Sequence, residues 1–207
     1  MSALRGHGKK AAFLVENGFC ERELVQAQNA LKDQGFDCRI VSSGEALVKS
    51  WNELKKSNGS NWGEGYAPNS PLKDGIPGDY DVLVIPGGKR SIEKLKLDNA
   101  VKPFVSAFLN TGKPVVAYNG AIDLLMFLDL VSGYSIAAKD QLCDTVRGMG
   151  GRCAAPEFVV SKNLITLSRF RDVENKIQNA VVAVLSGKPY VEKVVSSDNI
   201  PASYQAA

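Results

Sequence analysis

The chain has 207 residues, 44% of them hydrophobic, with 25 basic and 22 acidic side chains interspersed to a formal net charge of +3. That length and apolar fraction suit one α/β domain with a sizeable core. The absence of a concentrated basic stripe with aromatics among it argues against nucleic-acid binding, and apolar runs no longer than a strand leave nothing to span a bilayer as a helix.

Residues 1–9 are polar and lack the apolar core of a secretory signal, so the expected setting is the cytoplasm. They read as a flexible tail ahead of a single domain over residues 10–190, with a second tail over 191–207. Cys20, Cys38, Cys143 and Cys153 show no CxxC spacing and no neighbouring histidine. Neither a zinc site nor a disulfide framework is signalled, and free, mostly buried thiols are expected, with no metal or cofactor. The Asn58-Gly59-Ser60 sequon has no consequence in that setting. Lys9-Lys10 and Lys55-Lys56 read as solvated surface.

Along the chain, short apolar runs alternate with amphipathic stretches, the order that gives βαβ crossovers and a parallel sheet. Residues 10–15 (KAAFLV) predict a first strand. Leu24, Ala27 and Leu31 recur at helical spacing over residues 23–34, ended by Gly35. Residues 37–42 (DCRIVS) predict the second strand. The polar stretch 43–78 is long for a loop and predicts a hairpin or functional excursion, with Trp51 and Trp62 packing beneath it or walling a pocket. Residues 80–85 (YDVLVI) form a strand broken by Pro86-Gly87-Gly88. Val101, Phe104, Val105, Phe108 and Leu109 mark a helix, residues 114–118 (PVVAY) a central strand, and Asn119-Gly120 a sharp turn into a helix over about 121–130. A helix over 141–149 stops at Gly150-Gly151. Paired strands flank Ser161-Lys162-Asn163, and a last amphipathic helix runs over residues 173–185.

Ligands of open parallel sheets bind beyond the carboxyl ends of the strands. That rule selects residues 16–23, 86–90, 119–123 and 168–172. At these corners the sequence carries Asn17-Gly18-Phe19 through Glu23-Leu24, Ser50-Trp51-Asn52 with Asn61-Trp62-Gly63, Tyr80-Asp81 and Ile85-Pro86-Gly87-Gly88. Gly112-Lys113-Pro114-Val115, Gly150-Gly151 and Asn163-Leu164-Ile165-Thr166 follow. In this order and spacing, over most of residues 10–185, the chain resembles the ThiJ/PfpI superfamily. The resemblance implies a class I glutamine-amidotransferase-like fold: a flavodoxin-like three-layer α/β sandwich, its central sheet mostly parallel and helices on both faces. It also implies a dimer or larger homo-oligomer.

The resemblance further implies a Cys on a strained turn after the strand that follows Gly-Lys-Pro, then a His and a Gly, with a Glu from the first helix touching the Cys. Ungapped, Asn119 falls at the Cys, Gly120 at the His and Ala121 at the Gly. A one-residue slip puts Tyr118 at the Cys and Asn119 at the His. Neither register supplies a thiol or an imidazole. Glu23 matches the Glu, and Gly87-Gly88 match the backbone donors facing an oxyanion.

The chemistry leads to the same place. Covalent acyl or hemithioacetal transfer needs a thiolate, or a hydroxyl beside a base. The one imidazole, His7, precedes the first strand, and the amide of Asn119 has no ionisable proton near neutral pH. Asn and Gly tolerate positive φ, so the substitution relaxes what strain such a turn stores. The expectation is a ligand-binding site of Glu16, Glu23, Gly87, Gly88, Tyr118, Asn119 and Gly120 with no catalytic Cys–His pair, and with Glu23 hydrogen-bonded to Asn119. The bland counterparts are a first-turn glutamate favouring the helix N-terminus and an N-capping Asn. The alternative is an enzyme using Glu16 and Glu23 as acid and base, or Cys20 as a displaced nucleophile. Asp123 is a further candidate for the crevice, and Lys89, Arg90, Arg169 and Arg171 are candidates for an anionic ligand.

Overall fold

The computed structural model describes residues 5–44, 46–52, 61–154, 157–168 and 173–191. The strands are β1 (Lys10–Leu14), β2 (Asp37–Ser42), β3 (Val48–Trp51), β4 (Trp62–Tyr66), β5 (Ser70–Pro71), β6 (Val82–Ile85), β7 (Val115–Tyr118), β8 (Ser135–Ala137), β9 (Arg152–Ala154), β10 (Phe158–Ser161) and β11 (Leu164–Leu167). The helices are α1 (Glu21–Lys32), α2 (Lys89–Leu97), α3 (Val101–Asn110), α4 (Asn119–Phe127), α5 (Asp140–Gly148) and α6 (Glu174–Leu185). Seven strands form one sheet in the order β10-β11-β7-β6-β1-β2-β5. All its pairings are parallel except β10 with β11, which fold back on each other through Lys162 at φ 54.

Side chains alternate across each central strand, as the two-residue period requires. Ala12 and Leu14 of β1, Leu83 and Ile85 of β6, and Val115 and Ala117 of β7 face α2, α3, α4 and α5. Ala11 and Phe13, Val82 and Val84, and Val116 and Tyr118 face α1 and α6. Both faces of the sheet are therefore covered, which is why these strands read as unbroken apolar runs. At roughly 1.5–3 kcal/mol for each large apolar side chain removed from water, the two layers supply the fold's main driving force.

One polar residue ties the layers together. Buried Asn163 donates through Nδ2 to the carbonyls of Phe108 (3.2 Å), Leu109 (3.1 Å) and Lys113 (2.9 Å), holding the end of α3 and the turn into β7. The expected excursion contains an antiparallel hairpin, β3 with β4. Its tryptophans do not lie beneath it but form its strands: their rings meet edge to face at 4.9 Å, and Trp62 is exposed.

Cys143 and Cys153 correct the expectation of separate thiols. They form a disulfide with Cα atoms 5.1 Å apart, because Gly150-Gly151 reverses the chain and returns β9 alongside α5. Cys20 and Cys38 are free. The sequon, Lys55, Lys56, Arg169 and Arg171 lie outside the described residues, as do residues 1–4 and 192–207 of the expected tails. Among the described residues, no helix is long and apolar enough to cross a membrane.

Candidate functional site

From β1 the chain moves outward to β2, then returns to place β6 on the other side of β1. The connections leaving β1 and β6 therefore diverge to opposite faces, and a crevice opens at their carboxyl ends. There the structure forms a cleft of about 950 Å³ walled by the first turns of α1, α2 and α4, with Trp51 and Asn52 of the hairpin at its margin.

The three turns are locked by backbone. The Cys20 N–H donates to Gly87 O (2.8 Å), and Gly18 N–H to Lys49 O (2.8 Å). Gly88, the residue before α2, has φ 110, and a β-carbon there would lie 2.7 Å from both Cys20 N and Phe19 Cα. Only glycine fits that conformation and that approach. Gly120 is less constrained: its β-carbon would meet Gly87 Cα at 3.2 Å and Gly88 N at 3.3 Å, so that turn would have to give slightly.

Of the expected site residues, Glu23, Gly88, Asn119 and Gly120 line this cleft together, with Cys20, Lys89 and Asp123. Gly87, Tyr118 and Glu16 do not. Gly87 lies behind, donating its N–H to Glu23 Oε2 at 2.6 Å. Tyr118 points under the sheet toward α1 and α6, is 1% exposed, and its hydroxyl has no hydrogen-bond partner. The Glu16 carboxylate accepts from Ser42 Oγ (2.7 Å) and Ser43 N–H (2.6 Å), a tie between the ends of β1 and β2.

The expected Glu23–Asn119 hydrogen bond does not form. Gly87 N–H is the one hydrogen-bond partner of the Glu23 carboxyl among the described residues, because the Gly87-Gly88 turn settles against Gly120 and reaches the carboxyl first. Asn119 opens α4 directly after extended Tyr118 (φ −78, ψ 164). The described non-glycine residues with positive φ are Asp129 and Lys162, so the strained turn implied by the resemblance is relaxed here.

Burial shapes the electrostatics. Glu23 is 6% exposed, and desolvation lifts its pKa from 4.5 to about 7, against the smaller downward pulls of the Gly87 amide and Arg22. Burial, then the Glu23 carboxyl, raises the Cys20 thiol, although the amides of Glu23 and Arg22 favour its thiolate. Tyr118 is pushed up by burial first and then by Glu23. At the rim Lys96 pairs with Asp123 (2.6 Å) and Glu93 (2.9 Å). Arg90, a candidate anion ligand, lays its guanidinium 4.1 Å from the centre of the Trp51 ring, a cation–π contact that fastens the hairpin to α2. His7 is exposed ahead of β1, at the opposite end of that strand from the cleft.

Sequence reading missed α2 and with it Ile92 and Glu93 of the cleft wall. The available signal was short: Ile92 and Leu95 at i, i+3 behind a Gly-Gly turn.

A mostly parallel sheet covered on both faces, with a cleft at its switch point built from a buried glutamate, a Gly-Gly turn and the head of α4, defines a flavodoxin-like α/β protein. Residues 9–184 match the DJ-1/PfpI family, and the chain belongs to it. It is 27% identical over 165 residues to protein/nucleic acid deglycase 2 of Escherichia coli, covering 79% of this chain and 90% of that protein. An uncharacterized protein of Archaeoglobus fulgidus is 30% identical over 165 residues, covering 79% and 90%. Among solved structures, a ThiJ/PfpI domain protein from Brachyspira murdochii superposes with a TM-score of 0.71 at 16% identity, over 88% of this chain and 99% of that one. At that identity the likeness establishes the fold alone.

Proposed function

We propose that this chain is a DJ-1/PfpI-family protein that binds a small molecule, or serves as an interaction or stress-related module, without covalent Cys–His chemistry. The observation that carries the reading is the bend after β7. Asn119 and Gly120 stand where the resemblance implies a thiol and an imidazole, and a side chain at position 120 would press on the Gly87-Gly88 backbone at 3.2–3.3 Å. Without an attacking group, the remaining backbone donors bind more than they catalyse. The deglycase activity in the name of the Escherichia coli relative is not expected to carry over. The purified protein should show no glyoxalase, deglycase or peptidase turnover above background. Robust turnover that disappears in Asn119→Ala overturns the reading.

A second reading has one observation in its favour: Cys20 lines the same cleft as Glu23. As a nucleophile it would be alkylated rapidly by iodoacetamide at neutral pH. Its raised pKa leads us to expect slow alkylation, read by intact mass. The cytoplasmic setting and assembly as a dimer or larger homo-oligomer belong to the same proposal, and sedimentation tests the assembly.

A further inference from the structure

The hairpin that borders the cleft also walls a second pocket. Val48 and Ser50 of β3 are buried, so the two-residue period of the strand turns Leu47 and Lys49 outward. Backbone bonds fix this edge: the Lys49 N–H donates to Asn17 Oδ1 (2.7 Å), and the Gly18 N–H donates to Lys49 O (2.8 Å). Across from them α2 presents Arg90 and Lys94, four residues apart and so on one side of the helix. Between hairpin and helix is a pocket of about 460 Å³, lined by these four side chains with Asn17 and Trp62. The contact of Arg90 with Trp51 stands between this pocket and the cleft.

Its charge is one-sided. The three ionisable residues that line it, Lys49, Arg90 and Lys94, are all cations. Lys49 and Arg90 make no ion pair among the described residues, and Glu93, beside Lys94 in sequence, is engaged by Lys96 (2.9 Å) and lines the cleft instead. Like charges one helical turn apart destabilise a helix, and a third cation brought against them adds to that cost, which a bound anion reverses. Arg90 is positioned by rings: its guanidinium carbon lies 4.1 Å from the centre of Trp51 and 5.9 Å from that of Trp62. A cation–π contact uses the face of a guanidinium and not its N–H edge. Apolar surface adjoins the charge, Trp62 being 41% exposed and Leu47 50%.

We propose that this pocket binds an organic phosphate monoester with a flat apolar body, its phosphate among Lys49, Arg90 and Lys94 and its body against Trp62 and Leu47. A phosphate monoester carries about −1.5 to −2 charge near neutral pH, and its oxygens match the guanidinium fork in pairs. A carboxylate or sulfonate brings a single charge to three cations. The volume suits a ligand of one or two rings. Binding is reversible and no covalent bond changes. This site lies beyond the cleft and stands whether or not the cleft is catalytic.

The test titrates the full chain with phenyl phosphate at low ionic strength, by calorimetry and by NMR of the ligand, with inorganic phosphate and benzenesulfonate as comparators. Phenyl phosphate should bind with a dissociation constant below about 1 mM, inorganic phosphate at least about tenfold more weakly, and benzenesulfonate at least about threefold more weakly. Lys49→Gln and Lys94→Gln should each weaken phenyl phosphate about three- to tenfold, and Arg90→Lys, which keeps the charge and loses the fork, at least about fivefold. Lys102→Gln, the same charge change on the exposed side of α3, should leave it within about twofold. No binding of phenyl phosphate up to about 10 mM, unchanged affinity in the two lysine variants, or an equal loss in Lys102→Gln overturns the proposal. Equal binding of inorganic phosphate overturns the apolar body, and equal binding of benzenesulfonate overturns the phosphate. Affinity lost in Glu23→Gln but kept in Lys49→Gln and Lys94→Gln puts the ligand in the cleft, which sinks this site and leaves the reading of the cleft intact.

Discussion

Glu23→Gln isolates the cost of the buried carboxyl. In the unfolded chain the group ionises at 4.5, and in the folded protein at about 7. Between those values the native state holds a proton that the unfolded state has released. Stability contributed by the group is therefore complete at low pH and is lost as pH rises through this window, levelling off above about 7. The interval, about 7 less 4.5, corresponds to roughly 3 kcal/mol at about 1.36 kcal/mol per pH unit. Glutamine keeps a carbonyl oxygen for the Gly87 N–H and cannot ionise. Urea denaturation of both proteins from about pH 4.5 to about 8, followed by the fluorescence of Trp51 and Trp62, gives the difference at each pH. Any fixed effect of the amide cancels in the slope. The variant should gain roughly 3 kcal/mol relative to wild type across the range. A flat difference refutes the desolvation argument, and a gain of the opposite sign shows that the Gly87 amide dominates and Glu23 is stabilised as a carboxylate.

The double change Asn119→Cys with Gly120→His should leave methylglyoxal turnover at background and lower stability by about 1–3 kcal/mol in urea, because the new side chain must displace the Gly87-Gly88 backbone 3.2–3.3 Å away. Gly18→Ala should cost about 1–3 kcal/mol, read as a lowered Tm, since φ is +94 and the added methyl meets the β-carbon of Arg90. Asn163→Ala should cost about 2–4 kcal/mol in urea by stripping a buried donor from three carbonyls; a loss under about 1 kcal/mol would show that water substitutes for it.

The central sheet was legible because burial on both faces writes strands as continuous apolar runs: β1, β2, β6 and β7 fall within two residues of their predicted bounds, and β10 and β11 flank the predicted turn. Helix α3 was legible for a related reason, five buried positions at helical spacing in ten residues. Helix α2 was not. Among its nine residues only Ser91, Ile92 and Leu95 are buried, too few for a stripe. The three-residue strands β8 and β9 are shorter than any period can register. The corners of the site followed from the rule that ligands sit beyond strand ends, which places Glu23, Gly88, Asn119 and Gly120 without coordinates. Which groups touch there did not follow. Glu23 bonds Gly87 across a sequence separation of 64, and Glu16 turns to Ser42 and Ser43, outcomes of how loops approach one another. The Cys143–Cys153 pairing escaped for the same reason, since spacing alone does not reveal a helix followed by a reversal.

The two departures at the bend after β7 act on the same piece of backbone. Gly87 lies between them: a β-carbon on it would meet Glu23 Oε2 at 2.9 Å on one side and Gly120 N at 3.1 Å on the other. Glycine at 120 lets the Gly87-Gly88 turn close onto the head of α4, and the same closure brings the Gly87 amide onto Glu23. The Gly87 amide, which the resemblance sets facing an oxyanion, is thus bonded to a carboxyl, and burial at the edge of the cleft shifts that carboxyl toward its proton-bound form. Asparagine at 119 removes the reason for a strained turn, and α4 begins in ordinary helical geometry. The residues at 119 and 120 and the Gly87-Gly88 turn thus shape one stretch of backbone, and that stretch leaves a buried acid beside the Gly87 amide.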